Sequence, residues 1–414
     1  MIETDVTVIG GGAAGLMAAI TAAECGARTL VIEHMDRVGK KILATGNGKC
    51  NYTNALQGIS YYRGEDPAFV LPVFEQFGFE ETVEFFKRLG VYPKIKKGYY
   101  YPASEQAASV LDVLRMEADY REVNILTSCE LKQLQTQKGN FFLLTNQGKI
   151  HAKTIIFATG LLASPKTGSD GSAIPYIEKL GHHLIDVVPA LVQLQGKQAF
   201  FKTLAGIRAE VAMELYIEGQ KKQAETGELQ LTDYGVSGIP IFQLSRFATR
   251  ALAQRKSVYV QIDFAPQLQE AELFRLLMER FYQYSHGKTA LEALIGLFHK
   301  KLIQVLLEEA RIETQMRAED VSKKQLQNLC NKIKQFRVDI VGSKDFTSAQ
   351  VCAGGVSTKE VEASTLESRL VPGVFFAGEV LDIDGTCGGY NLQWAWSSGR
   401  VAGIHAAMRA SDMK

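Results

Sequence analysis

The residues whose types and spacing best suit chemistry lie in the first fifty positions. Gly10-Gly11-Gly12-Ala13-Ala14-Gly15 satisfies the pattern GxGxxG, between the β-branched run Val6–Ile9 and the helix-like stretch Leu16–Glu24. Each glycine has a physical task. Gly10 permits a tight turn, Gly12 lets a pyrophosphate approach the backbone, and Gly15 lets helix and strand pack closely. The phosphates would sit at the helix N-terminus with Ala13 and Ala14, where unpaired N–H groups and the dipole favour anions. Glu33 ends a second apolar run, Arg28–Ile32, roughly twenty residues later, where an acid accepts from ribose hydroxyls. A Gly-rich turn followed by a surface glutamate would look similar, but the order of strand, glycines, helix, strand and acid predicts a dinucleotide site.

Downstream segments select FAD. Thr154–Gly160 is an apolar strand ending in Ala-Thr-Gly, which adds Thr159 and Gly160 to the site. Val374–Glu379 is a third strand ending in Gly378-Glu379, and Gly388-Gly389-Tyr390-Asn391-Leu392-Gln393 leads into a helix-like stretch from Trp394 to Met408. An acid after the late strand suits a ribityl chain. A helix opening at Gly389, Asn391 and Leu392 would aim its positive end at the electron-rich edge of a flavin. Lys40 and Lys41 are short-range partners for phosphate or for the same edge, although a charged turn is also commonly just solvated.

The elements that must position these residues need a large frame. A chain of 414 residues suggests two or three domains and can bury its core without metal or disulfide staples. Lys+Arg 46 against Asp+Glu 45 excludes a strongly basic nucleic-acid coat and an acidic solvating chain. Six scattered cysteines without a CxxC pair argue against zinc and a disulfide scaffold, and no metal site is expected. The N-terminus lacks the pattern of a secretory signal and apolar runs are too short to span a bilayer, so a cytoplasmic protein is expected. The fold class read from these features is α/β: a discontinuous, Rossmann-like, two-dinucleotide-binding FAD domain over residues 1–188 and 338–414. A β-rich insert over 189–265 and a helical subdomain over 266–337 interrupt it. Ile125–Leu134 and Asn140–Ile150 read as a β-meander within the first part.

Longer motifs carry a resemblance. Arg37–Asn51 is similar to "GRKLLxTGxGRCNxTN", Gly98–Ser104 to "GRVFPxS", and Gly227–Ser245 to "GELLFTHxGLSGPxILxLS". Ala353–Val356 matches "AGGV", and Ala377–Ser398 matches "AGEVLDxDGxxGGYNLQxAWSSG". These segments resemble the BaiN/RdsA family of NAD(P)/FAD-dependent oxidoreductases, also called aminoacetone-oxidase-like flavoproteins. The chain departs from the pattern at Lys49, at Tyr100-Tyr101 and at Thr232-Asp233-Tyr234. The resemblance implies that the loop holding Gly46, Asn47, Gly48 and Cys50 lies beside the flavin.

Reducing a C=C bond requires a hydride and a proton, so an acid near the flavin is needed. Cys50 and Cys387 are the thiols expected to supply it, although most cysteines are small buried hydrophobes. No second GxGxxG unit is present, so NADPH or NADH would act as a transient reductant at the flavin face. The resemblance offers several substrates. The leading expectation is uridine in ribosomal RNA, reduced to dihydrouridine, because Lys87, Arg88, Lys94, Lys96 and Lys97 interleave with Tyr92 and Tyr99–Tyr101. Alternatives are an aminoacetone or amine oxidase, an enone bile-acid reductase, and a non-catalytic flavin-bearing binding module. Oligomeric state has no sequence signal. His182 and His183 read as surface or strand-start residues rather than ligands.

Overall fold

The computed structural model describes residues 1–413, which divide into two compact units: Met1–Val188 with Ala349–Lys414, and Pro189–Ser348.

The first unit is built on a seven-stranded sheet. Strand β1 (Ile2–Ile9) becomes fully buried at Val6, Thr7 and Val8, as a parallel strand covered on both faces must. It leads through the glycine turn into helix α1 (Ala13–Glu24), then β2 (Thr29–Ile32) and the short helix α2 (Lys40–Ala44). Beyond these, β3 (Thr53–Asn54), β4 (Pro93–Lys96) and β5 (Tyr99–Pro102) form a separate small antiparallel sheet. Next come β6 (Asn124–Leu126), β7 (Leu131–Gln137), β8 (Asn140–Thr145) and β9 (Gly148–Phe157). The order β6-β2-β1-β9-β8-β7 describes the main sheet, and β10 (Val374–Phe376) adds in parallel beside the end of β9. The chain ends in helix α3 (Tyr390–Asp412).

The meander expected from Ile125 divides here. Asn124–Leu126 pairs in parallel with β2, and the antiparallel ribbon starts only at Leu131. Asn124–Leu126 is a partly exposed parallel edge strand beside β2, whereas Leu131–Gln137 is a largely solvated strand that buries only Leu134.

The second unit is a closed barrel of six strands whose order is Leu194–Gly196, Gly235–Ser237, Gln220–Leu231, Arg208–Ile217, Val258–Asp263 and Phe336–Ser343. Two expected boundaries shift. Phe336–Ser343 pairs with Val258–Asp263 and with Leu194–Gly196, so the insert runs past 337. The helices Glu270–Met278, Lys300–Glu309 and Lys323–Lys334 share one core with the barrel, Leu273, Ile303 and Leu329 joining Val211, Leu215 and Val260. The amphipathic helices bury their apolar stripes on the barrel, so the β-rich and helical stretches make one unit.

His182 is buried in the first unit, not at its surface. Its Nδ1 lies 3.2 Å from Glu360 and its Nε2 2.8 Å from the Ser368 hydroxyl. Burial pushes the imidazole below its ordinary value of 6.5, although Glu360 pulls the other way. A base held neutral in the fold takes up protons on unfolding, so stability falls as pH drops through 6.5. Glu360 adds to the loss at lower pH. Hydrogen bonds from His183 outweigh the burial that alone would raise it, and its carboxyl lies below its usual range. Thermal denaturation between pH 7.5 and 5 should show stability falling by at most ~1.4 kcal/mol per pH unit from this group. His182→Gln should flatten the upper part of that slope.

Candidate functional site

A cleft of about 480 Å³ opens at the C-terminal ends of β1, β2 and β9, where ligands gather in open α/β sheets. Its walls include Gly10, Gly12, Ala13 and Ala14 from the glycine turn, Glu33 after β2, and Lys40 and Lys41 on α2. Thr159, Gly160, Gly378, Glu379, Asn391 and Leu392 complete the set of expected residues that line it.

The glycine turn is shaped by backbone contacts. Gly10 has φ +100, which lets the chain leave β1 and turn into α1. Gly15 does not line the cleft. A Cβ there would lie 1.9 Å from the Gly10 carbonyl oxygen, so its role is the close approach of helix to turn. At Gly12 the space is different, since a Cβ would meet nothing within 4 Å. Helix α1 has no side-chain cap and no acid in its first turn. Its leading N–H groups therefore remain available to an anion.

Glu33 does more than face the cleft. Oε2 accepts from the Gly11 N–H at 2.8 Å and Oε1 from the Met35 N–H at 2.8 Å. The acid pins the glycine turn to the end of β2 and keeps lone pairs for ribose hydroxyls. At the other end Glu379 is held equally firmly. Lys41 Nζ donates to its Oε2 at 2.6 Å and the Cys352 N–H to its Oε1 at 2.7 Å. Lys40 turns away to Asp36, 2.5 Å distant.

Some expected residues sit behind the cleft rather than on it. Gly46, Asn47 and Gly48 form an exposed turn next to Thr45, which does line the wall. Gly389 caps α3 from behind, and a Cβ there would lie 2.8 Å from the Thr53 backbone. Cys50 is fully buried, and burial pushes its thiol up to about 12. A group with no exposed surface and so strongly held a proton does not meet a substrate, so the expectation for Cys50 changes to a packing role. Cys387 is half-buried in the turn before α3, its thiol also raised by burial.

The glycine-rich stretch Thr167–Ala173, which also lines the cleft, escaped the sequence reading. Its signal was the Gly168-Ser169-Asp170-Gly171 turn soon after Gly160. The basic stretch reads differently in three dimensions. Lys94 and Lys96 lie 2.7 and 2.9 Å from Glu105, and Lys49 lies 3.5 Å from it. Those lysines hold the Glu105 carboxyl down to about 2, so one acid just past the run gathers three of its neighbouring cations.

The arrangement fits FAD on structural grounds. An uncapped helix start faces open space at Gly12, an anchored acid stands at one end, and a lysine–glutamate pair with a second helix start stands at the other. Gly12, Ala13 and Ala14 would hold the diphosphate, Glu33 the ribose, and Lys41, Glu379, Asn391 and Leu392 the ribityl and flavin end. Among the described residues, no helix is long and apolar enough to cross a membrane.

Comparisons with known proteins identify the family. A family described as "HI0933-like protein Rossmann domain" matches residues 4–405. The 3-dehydro-bile acid delta(4,6)-reductase of Clostridium scindens is 42% identical over 98% of this chain and 99% of its own. The ribosomal RNA dihydrouridine synthase of Haemophilus influenzae is 29% identical over 94% of this chain and 95% of its own. A flavocytochrome c3 fumarate reductase shares the fold, with TM-score 0.52 and 15% identity over 99% of this chain and 79% of that one. The chain belongs to the HI0933-like family and is an FAD-dependent oxidoreductase.

Proposed function

We propose that this chain is an NAD(P)H-dependent reductase of a C=C bond conjugated to a carbonyl, with a small enone as its first substrate class. The observation that carries this reading is the 42% identity to a named bile-acid reductase over almost all of both chains. Uridine and a 3-oxo-4-ene share that conjugated group, so one chemistry covers both kinds of relative.

FAD supplies the hydride chemistry when bound. The chain supplies the rest. The α1 N-terminus and Glu33 fix the cofactor's tail, Lys41 places positive charge at the reacting end, and the turn before α3 frames the substrate side. Ribosomal RNA is the second reading. It is favoured by Tyr92, which is 75% exposed amid Lys87, Arg88 and Lys97, and by the relatives at 28–29% identity.

Anaerobic stopped-flow separates these readings. NADPH should bleach the flavin, and a 3-oxo-4-ene steroid should restore its colour with formation of the saturated ketone. Bleaching by small amines instead would select an oxidase, and no bleaching by either would select a binding module. Restored colour with RNA alone, together with lost dihydrouridine in ribosomal RNA of a deletion strain, would select the second reading.

A further inference from the structure

Beside the flavin end of the cleft the first unit gathers phenols. Alternation along β5 sends Tyr99 and Tyr101 to one face and Tyr100 to the other. Tyr100 packs edge-on against Phe79 at 5.0 Å and Tyr52 at 6.2 Å, inside the core. Tyr99 and Tyr101 are half-buried at the Gly388-Gly389 turn, where a Cβ on Gly388 would lie 2.8 Å from Tyr99 Cε1. Asn54 fixes that turn by donating to the Gly388 carbonyl at 3.0 Å. Tyr390, the first residue of α3, stacks on Tyr61 with centroids 4.5 Å apart and planes 8° apart.

This tyrosine wall lies just outside the lining of the cleft and adjoins it at two places. Tyr390 precedes Asn391, which lines it, and a Cβ on Gly46, next to Thr45, would lie 3.7 Å from Tyr101 Cε1. Neither the Tyr99 nor the Tyr101 hydroxyl hydrogen-bonds another described residue. Burial pushes the pKa of both phenols above the ordinary tyrosine value, and neighbouring groups add to it: Cys387 and Tyr61 for Tyr99, Tyr99 and Cys387 for Tyr101. Both hydroxyls therefore keep their protons and are neutral donors with unused capacity.

We propose that Tyr99, with Tyr101 beside it, donates a hydrogen bond to the carbonyl oxygen of the conjugated substrate and holds the negative charge that develops there. This rests on the reductase reading above. Hydride adds to the β-carbon, the C=C pair shifts to join the α-carbon to the carbonyl carbon, and the carbonyl π pair moves onto oxygen. A proton then reaches the α-carbon and the C=O bond re-forms, so NAD(P)H, a proton and the enone become NAD(P)⁺ and the saturated ketone. A donor aimed at the oxygen that gains charge stabilises the transition state more than the ground state.

The test uses the FAD-loaded protein and a 3-oxo-4-ene steroid. Binding to the oxidised wild-type protein, without NADPH, should shift the enone's ultraviolet band to the red. Tyr99→Phe should abolish that shift and slow enone reduction about 10²-fold, while leaving flavin bleaching by NADPH and its reoxidation by O₂ unchanged. A Tyr99→Phe protein with the wild-type shift and rate overturns the proposal. Should that variant lose FAD, Tyr101→Phe takes its place: a weakened shift supports the wall and an unchanged one overturns it. Wild-type protein that neither shifts nor reduces the enone would instead sink the small-enone reading, and Tyr99 with it.

Discussion

Gly15→Val protein is expected to leave purification colourless. The added Cβ would stand 1.9 Å from the Gly10 carbonyl oxygen and 3.3 Å from the Ala158 side chain. Gly10 has little room to yield, because its backbone runs so close to Ala158 that a Cβ on it would lie 2.7 Å from the Ala158 carbonyl oxygen. Helix α1 must therefore move off the sheet, taking with it the N–H groups meant for the diphosphate. Overpacking of this kind costs about 1–3 kcal/mol of stability or more. The loss in FAD affinity should be at least about 100-fold, because ~2.7 kcal/mol of anion contacts depends on that position. Absorbance near 450 nm (roughly, as for any flavin), FAD titration and thermal melting together check it. Gly12→Ala is the informative control. Its Cβ meets no protein atom within 4 Å, so the FAD-free fold should melt as the FAD-free wild type does while FAD binding weakens. Equal melting temperatures for wild type and Gly15→Val, with full colour, would show that the close approach of helix and turn is dispensable.

Much of this site was legible in the sequence because its physical requirements are local. A turn that needs glycine at Gly10, a helix start that needs small residues, and an acid at the end of the next strand all fall within a few dozen residues. Hydrophobic period and chain order then predict the buried strands β1, β2, β9 and β10. What the sequence hid were pairings across long chain separations. Glu33 reads as a ribose ligand, yet it also ties down Gly11 and Met35. Glu379 reads as a ribityl ligand, yet its carboxylate is held by Lys41, far away in the chain. Burial was equally hidden. Cys50 lies in a glycine-rich polar loop, and nothing local announces that its side chain enters the core. The Phe336–Ser343 strand follows a run of helices, and only its partners in the barrel reveal that it belongs with the insert. The three consecutive tyrosines of β5 carry a two-residue period that sorts them, once the segment is known to be a strand.

Removing the Lys41 ammonium should slow reduction of the cofactor through a change in its potential, beyond any loss of cofactor binding. Lys41 and Glu379 are both partly buried, with side chains 25% and 19% exposed, and their charged atoms lie 2.6 Å apart. Lys41→Met leaves the Glu379 carboxylate on the cleft wall with only the Cys352 N–H for a partner. Removing one member of a fully buried pair costs about 3–5 kcal/mol, and solvent access here reduces that to about 1–2 kcal/mol. The electronic consequence is distinct from the structural one. Reduction adds negative charge to the bound cofactor, and an uncompensated carboxylate opposes that charge while an ammonium favours it. Flavin bleaching by NADPH should therefore fall by at least about tenfold, matching ~1.4 kcal/mol of lost stabilisation, and the midpoint potential should move negative. Glu379→Gln should do the reverse to the potential, since it leaves the ammonium unopposed. The double variant removes both charges, so its potential should lie between those of the singles. Potentials measured by dye equilibration, alongside FAD dissociation constants, separate electrostatics from anchoring. A Lys41→Met protein with unchanged potential and a proportionate loss of FAD would make this lysine an anchor alone, and the pair a packing feature of the cleft wall.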